Sequence, residues 1–201
     1  MACRFPGSVD YREFWQNLLL QVDSVTEIPE TRWDTERFYS PDKQIANKSV
    51  SKWGGLLEGI DEFDHRFFKI RAEEAHGMDP QHRILLQETW HCIEDSAIPV
   101  GNLRSKITSL YVGVMSSDYL QESSTPGRIT DRYAALGNYD GLAANRVSSS
   151  LGLKGSSLSV DATHASSMVA LHKARMCILH EGSDYALAAG VNLSFHPWKY
   201  I

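Results

Sequence analysis

The sequence predicts an α/β fold, and three observations predict it. Residues 107–115, ITSLYVGVM, form an apolar run of the length and composition of a buried strand. Residues 155–171, GSSLSVDATHASSMVAL, read as strand, sharp turn and helix in direct succession. Residues 184–193, DYALAAGVNL, give another strand rich in small side chains. The order strand, long insertion, strand–turn–helix, strand supplies three core strands at most. Such a sheet requires more strands and a second layer of helices, so the chain is expected to stop before its fold is finished.

The 155–171 stretch organises the rest. Leu158 and Val160 alternate with Ser157 and Ser159, the period of a half-buried strand. Residues 161–167, DATHASS, are small enough for a tight turn. Met168, Leu171 and Ala174 then recur at helical spacing. A side chain at such a bend, near His164, is pushed out above the sheet, and the following helix aims its unpaired N–H groups and positive dipole end at it. This is how a nucleophile is displayed.

Taken in order, residues 1–70 are irregular with one helix. Asp10 is its N-cap, Phe14, Trp15, Leu18 and Leu19 its apolar face, and Val22 its approximate end. Trp33, Phe38, Tyr39 and Trp53 follow without periodicity, as in a segment anchored by rings to a larger body. Phe63, Phe67 and Phe68 are expected to be buried. Residues 71–201 carry the α/β core. Within it, residues 78–96 form the clearest helix, with Asp79 as cap, Pro80 in the first turn, and a stripe of Leu85, Leu86, Thr89, Trp90 and Ile93. His82, Arg83 and His91 read as surface or edge residues. Residues 116–132 read as an exposed polar loop. A short helix is expected over 142–149, ended by Gly152. The helix after the bend is expected to reach His180 and stop at Glu181 and Gly182.

Bulk properties narrow the function. The 201 residues are 42% hydrophobic and 22% charged, as in a soluble globular protein. A net charge of −5 argues against nucleic acid as a partner. No apolar run reaches membrane-spanning length, and the first residues lack a signal-peptide core, so no membrane partner and a cytoplasmic location are expected. Cys3, Cys92 and Cys177 have neither metal-ligand spacing nor a disulfide pattern, and the eight histidines form no HxxxH or HExxH motif; no metal is expected.

A series of motifs then resembles the N-terminal half of a β-ketoacyl synthase (ketosynthase) domain of a modular polyketide synthase. It runs through Cys3-Arg4-Phe5-Pro6-Gly7, Phe14-Trp15 with Leu18-Leu19, Ile28-Pro29, and Arg32-Trp33-Asp34. Gly54-Gly55-Leu56-Leu57 follows, with Phe63-Asp64 and Phe67-Phe68, then Met78-Asp79-Pro80-Gln81 with Arg83, Leu85 and Leu86. Glu94-Asp95-Ser96, Asn145-Arg146-Val147-Ser148, Val160-Asp161 and Gly190-Val191-Asn192-Leu193 complete it. Each is weak alone; their order and spacing make them specific. The resemblance implies a thiolase-like fold of two related halves, each a mixed sheet with flanking helices, of which this chain is the N-terminal one and incomplete. It implies a dimer. It implies decarboxylative condensation of acyl and malonyl-type units delivered on the phosphopantetheine arm of an acyl carrier protein, with no cofactor bound to the domain itself.

Two departures qualify that activity. The family's elbow reads DTACSSS, and in DATHASS His164 occupies the place of the nucleophilic cysteine. An imidazole there is discouraged from protonating by the helix dipole, and acyl-imidazoles hydrolyse readily. The family's two catalytic histidines lie in its C-terminal half; Glu74-Ala75-His76-Gly77 copies one of their motifs at the wrong place. The chain is therefore expected not to condense acyl units alone. The alternatives are a non-catalytic carrier-docking scaffold, acting as a homodimer or with a complementary C-terminal half, and a decarboxylase in which His164 donates a hydrogen bond to an enolate and a partner supplies the rest.

Overall fold

A computed structural model describes residues 1–119 and 133–201. Its centre is a parallel three-stranded sheet in the order β4-β3-β5, where β3 is Thr108–Val114, β4 is Ser157–Val160 and β5 is Tyr185–Val191. Leu110 pairs with Ser157 on one side of β3 and with Leu187 on the other. Parallel neighbours need long crossovers, and helices supply them. The crossover from β3 to β4 carries Ala143–Leu151, and Ser166–His180 joins β4 to β5. Antiparallel pairing among the described residues is confined to a separate ribbon of β1 (Thr26–Glu27) and β2 (Trp53–Gly54) and to one isolated bridge between Phe5 and Ser8.

The α-helices lying wholly within the described residues are α1 (Tyr11–Leu19), α2 (Thr35–Phe38), α3 (Ala72–Gly77), α4 (Pro80–Asp95), α5 (Val100–Ser105), α6 (Ala134–Asn138), α7 (Ala143–Leu151) and α8 (Ser166–His180). Their ends follow the expected chemistry. The Asp10 carboxylate accepts from the N–H groups of Arg12 and Glu13, and Asp79 accepts from that of Gln81. Gly152 ends α7 in the left-handed region, which glycine adopts without strain, and Gly182 turns the chain after α8 in the same way.

Side-chain alternation along β3 divides the core. Leu110 and Val112 face α4 and α7, where they join Met78, Leu85, Leu86 and Val147. Tyr111 faces the other way, onto Ala170, Ala174 and Cys177 of α8. On edge strand β4 the serines face the packed side, where the hydroxyl of Ser159 accepts from the N–H of Ala144 at 3.2 Å in the first turn of α7. The expected alternation is present, yet its apolar members look out on the α8 side, and Leu158 is exposed. Buried on α8 are Ser166, Ala170, Ala174 and Cys177, while Met168 and Leu171, expected to pack, are exposed. Small residues let this helix lie close to the sheet, so its larger side chains point away from it.

Other expectations need correction. α1 ends at Leu19, and none of its residues is buried. Phe67 is exposed, while Phe63 and Phe68 are half-buried. His82 and Arg83 are buried, because the first turn of α4 is enclosed on all sides. Of the expected 116–132 loop, Asp118 is fully buried; residues 120–132 lie outside the described residues. The N-terminal segment is anchored by rings in part. Trp33 is buried against Tyr200, and Phe38 meets His196 edge-on, while Trp53 is exposed.

Candidate functional site: a strand–helix elbow

The elbow forms where β4 gives way to α8. After Val160, the Asp161 carboxylate accepts from the Thr163 N–H at 2.8 Å and draws the chain into a turn. Thr163 sits at φ +51°, a region that a β-branched residue rarely enters. That strain costs on the order of 1–3 kcal/mol and persists where surroundings enforce it. Ser166 does the enforcing: its hydroxyl accepts from the Ala162 N–H at 2.9 Å and donates to the Thr163 carbonyl at 2.6 Å. A single-turn 3-10 segment, Thr163–Ala165, leads into α8, and His164 in its middle is exposed to solvent.

Two glycines seat the elbow on the sheet. A Cβ on Gly113 of β3 would lie 2.5 Å from the Ser167 nitrogen, and one on Gly190 of β5 would lie 2.8 Å from the Ser167 Cβ. Any larger residue would lift the start of α8 and displace His164. The expected bend is therefore present, with the strained residue at Thr163 and the displayed one next to it.

A buried polar network lies at the same C-terminal ends of the strands, beneath the loops that leave β3 and β5. Gln81 is its hub: its side-chain oxygen accepts from the Leu193 N–H at 3.0 Å, and its amide donates to the Ser116 carbonyl at 3.1 Å. Asp79 accepts from Ser117 as well as from Gln81; burial pushes its carboxyl up, against the downward pull of those hydrogen bonds. Asp118 accepts from the N–H groups of Phe195 and His196 at 3.0 and 3.1 Å. Lys199 donates to the Leu193 carbonyl and the Asn192 side chain and lies 4.0 Å from Asp118. Burial lowers the Lys199 ammonium, which these carboxylates counteract. Asp140 faces the same region: burial pushes its carboxyl up, with Asp79 and Asp161 adding to the effect.

His82 is the outlier of this enclosed region. It is 1% exposed, and neither ring nitrogen has a partner among the described residues. Burial drives its imidazole down to about 4, and nearby Arg146 pushes in the same direction. Arg146 is itself committed to Glu74 at 2.7 Å.

Of the histidines and cysteines weighed as catalytic groups in the sequence, His164 stands at the elbow. His76 is exposed on α3, and its carbonyl accepts from the Tyr119 hydroxyl. Cys177 is buried under α8, where its thiol donates to the Ala174 carbonyl. Among the described residues, no group of three or more His, Cys, Asp or Glu is placed to hold a metal ion, and no helix is long and apolar enough to cross a membrane. Sequence reasoning missed Gly113, Asp118 and Lys199, and placed Ser166 and Gly190 in motifs without seeing that they hold and seat the elbow. The available signal was glycine inside two strand patterns, a mark of close backbone approach.

A parallel sheet whose edge strand runs through a strained bend into a helix lying close on two glycines defines an α/β protein with an elbow of the kind that displays a nucleophile. Comparison makes the assignment specific. All of residues 1–201 match the family model for the N-terminal domain of beta-ketoacyl synthase, and the chain belongs to that family. It is 42% identical over 205 residues to polyketide synthase ThaG of Burkholderia thailandensis, covering 100% of this chain and 4% of that one. It is 38% identical over 201 residues to the mycocerosic acid synthase-like polyketide synthase of Mycolicibacterium smegmatis, covering 99% of this chain and 10% of that one. Among solved structures, the oxazolomycin ketosynthase domain of Streptomyces albus superimposes with a TM-score of 0.88 at 39% identity, covering 98% of this chain and 35% of that one. The ketosynthase from module 6 of the bacillaene synthase of Bacillus subtilis gives 0.83 at 35% identity, covering 98% and 31%. The chain thus spans a small part of the curated relatives and about a third of each solved ketosynthase.

Proposed function

We propose that this chain is the N-terminal part of a polyketide-synthase ketosynthase in which His164 stands at the position of the acyl-accepting cysteine, and that it does not condense acyl units by itself. The observation that carries this reading is the display of His164 on an otherwise intact elbow. Its backbone is held by Asp161 and Ser166 and seated on Gly113 and Gly190. A thiolate at this place combines strong nucleophilicity with stabilisation by the helix terminus. An imidazole has the reach and lacks the stable acyl store. The partner is an acyl carrier protein presenting its phosphopantetheine arm, and the location is cytoplasmic. The missing groups come from a complementary C-terminal half, with pairing to a second copy through the open edge of β4 as a further contact.

Incubation with an acyl-carrier-protein thioester, read by intact mass, tests this. No stable acyl adduct is expected on the natural chain. An adduct that persists and maps to His164 would overturn the reading. A second reading, a non-catalytic carrier-docking module, is favoured by the exposed apolar face of α8. Carrier-protein binding that survives His164→Ala would support it.

A further inference from the structure

One arginine ties three helices together beside a histidine that has nothing to bond. His82 lies in the first turn of α4, is 1% exposed, and has no partner for either ring nitrogen among the described residues. Arg146 of α7 stands next to it. Its guanidinium donates to the Glu74 carboxylate of α3 at 2.7 Å and to the Leu136 carbonyl of α6 at 3.0 Å, and its Nε is buried without a partner. α6 is otherwise held at the junction of α3 and α4. The Gly137 carbonyl accepts from the Asp79 N–H at 2.9 Å, and Asn138 donates to the Gly77 carbonyl at 2.9 Å. Only Gly137 and Asn138 of α6 are buried, so hydrogen bonds rather than apolar burial keep this helix in place.

Few charged groups surround the ring. From α7 it faces Arg146, and through Arg146 it meets Glu74 of α3. On α4 itself, Asp79 is taken up by Gln81 and Ser117, and Arg83 has Asp61 and Tyr119 near it. α6 has no titratable side chain, and Tyr133 at its start lies under the Arg71 guanidinium at 5.1 Å. A proton on His82 therefore creates two N–H donors and a positive charge in an enclosed site, against a guanidinium and at the positive end of α4. The anion it can compete for is Glu74, which Arg146 holds. Two buried cations sharing one carboxylate do not both stay in place.

We propose that His82 is the sensor of an acid-sensitive latch: a proton on its ring drives Arg146 off Glu74 and Leu136, and α6 comes away from α3 while the sheet stays folded. The latch is shut when the ring is neutral. The ring has an ordinary value of 6.5 outside the site and about 4 within it, so the closed arrangement is favoured in full above 6.5 and progressively less as pH falls toward 4. The released segment runs directly into the 3-10 turn Asp140–Leu142 and then α7, whose Ala144 N–H donates to Ser159 on the strand that carries the elbow. Opening therefore reaches the support of the elbow through that strand.

Hydrogen exchange of the full chain between pH 7.5 and pH 5, read by mass spectrometry, tests the latch. Protection of residues 134–139, corrected for the pH dependence of intrinsic exchange, is expected to fall about thirtyfold, the ratio given at pH 5 by values of 6.5 open and about 4 closed. The amides of β3 are expected to stay protected over the same exchange time, as in a local opening. Protection of α6 that ignores pH, or loss of α6 and β3 protection together, would overturn the proposal. His82→Gln keeps a polar side chain and cannot titrate, and it is expected to abolish the pH dependence at α6. A fall that persists in this variant assigns the response to another group and overturns the proposal as well. Glu74→Gln is expected to speed α6 exchange already at pH 7.5; a rate equal to that of the natural chain would remove Arg146 from the latch and overturn it.

Discussion

The two faces of the central sheet are finished to different degrees. On one face, α4 and α7 close over Leu110 and Val112 with Met78, Leu85, Leu86 and Val147, all buried. On the other, α8 touches the sheet through Ser166, Ala170, Ala174 and Cys177 and leaves its larger side chains in solvent. The difference teaches where the stability of this chain resides and where its contacts with other polypeptide lie. Wide burial on the first face holds the chain together. Close approach of small residues on the second holds the elbow in place while its outer surface stays open.

The largest effect expected from this contrast is at Leu86, which is 1% exposed in the closed layer. Leu86→Ala removes buried methyl groups and leaves a cavity, at about 2–5 kcal/mol. Urea denaturation should show that loss as a lower midpoint with an unchanged slope. A loss under about 1 kcal/mol would mean that the layer collapses around the gap and is less rigidly packed than its burial indicates.

The closed face also carries a pH liability. His82 has an ordinary value of 6.5 and is held down to about 4 in the fold. The unfolded chain therefore takes up a proton as pH falls below 6.5, while the folded chain takes it up near 4. Stability from this group is complete above 6.5 and declines as pH falls, by on the order of 3 kcal/mol at pH 4. His82→Gln, which cannot titrate, should flatten that part of the stability-versus-pH curve. Identical curves for variant and natural chain would show that the His82 ring finds water or a partner in solution. Asp79 works in the opposite direction: its raised carboxyl gains stability as pH falls through its folded value, so the comparison must be made as a difference between the two chains.

Much of this contrast is hidden from the sequence, for reasons particular residues make plain. Helix ends are legible because their chemistry is local: Asp10 and Asp79 cap within three residues, and Gly152 stops α7 by its own backbone. The elbow is legible because strand period, small residues and helical period succeed one another within 155–171. Periodicity tells which residues share a face and not which face is covered. Met168 and Leu171 do share a face of α8, and Leu158 does alternate with the serines of β4, yet all three are exposed. His82 reads as a surface residue because its enclosure comes from distant segments. Gln81 reaching Leu193, and Lys199 approaching Asp118, are likewise pairings between segments far apart in the chain. Gly113 and Gly190 reveal their purpose when Ser167 arrives against them.

The smallest effect expected is also the one that defines the contrast. Leu171 lies on α8 and is 54% exposed. Leu171→Ala opens no cavity and places the best helix former in an exposed helix position. The stability of the isolated chain should change by no more than about 0.5 kcal/mol in either direction. The same truncation therefore separates the two faces: costly at Leu86 in the closed layer, nearly neutral at Leu171 on the open one. Were Leu171→Ala to cost more than about 1 kcal/mol, and the cost to grow with protein concentration, the α8 face would already be covered in solution by a second copy of this chain. The openness of that layer would then belong to the monomer and not to the protein as it exists at working concentration.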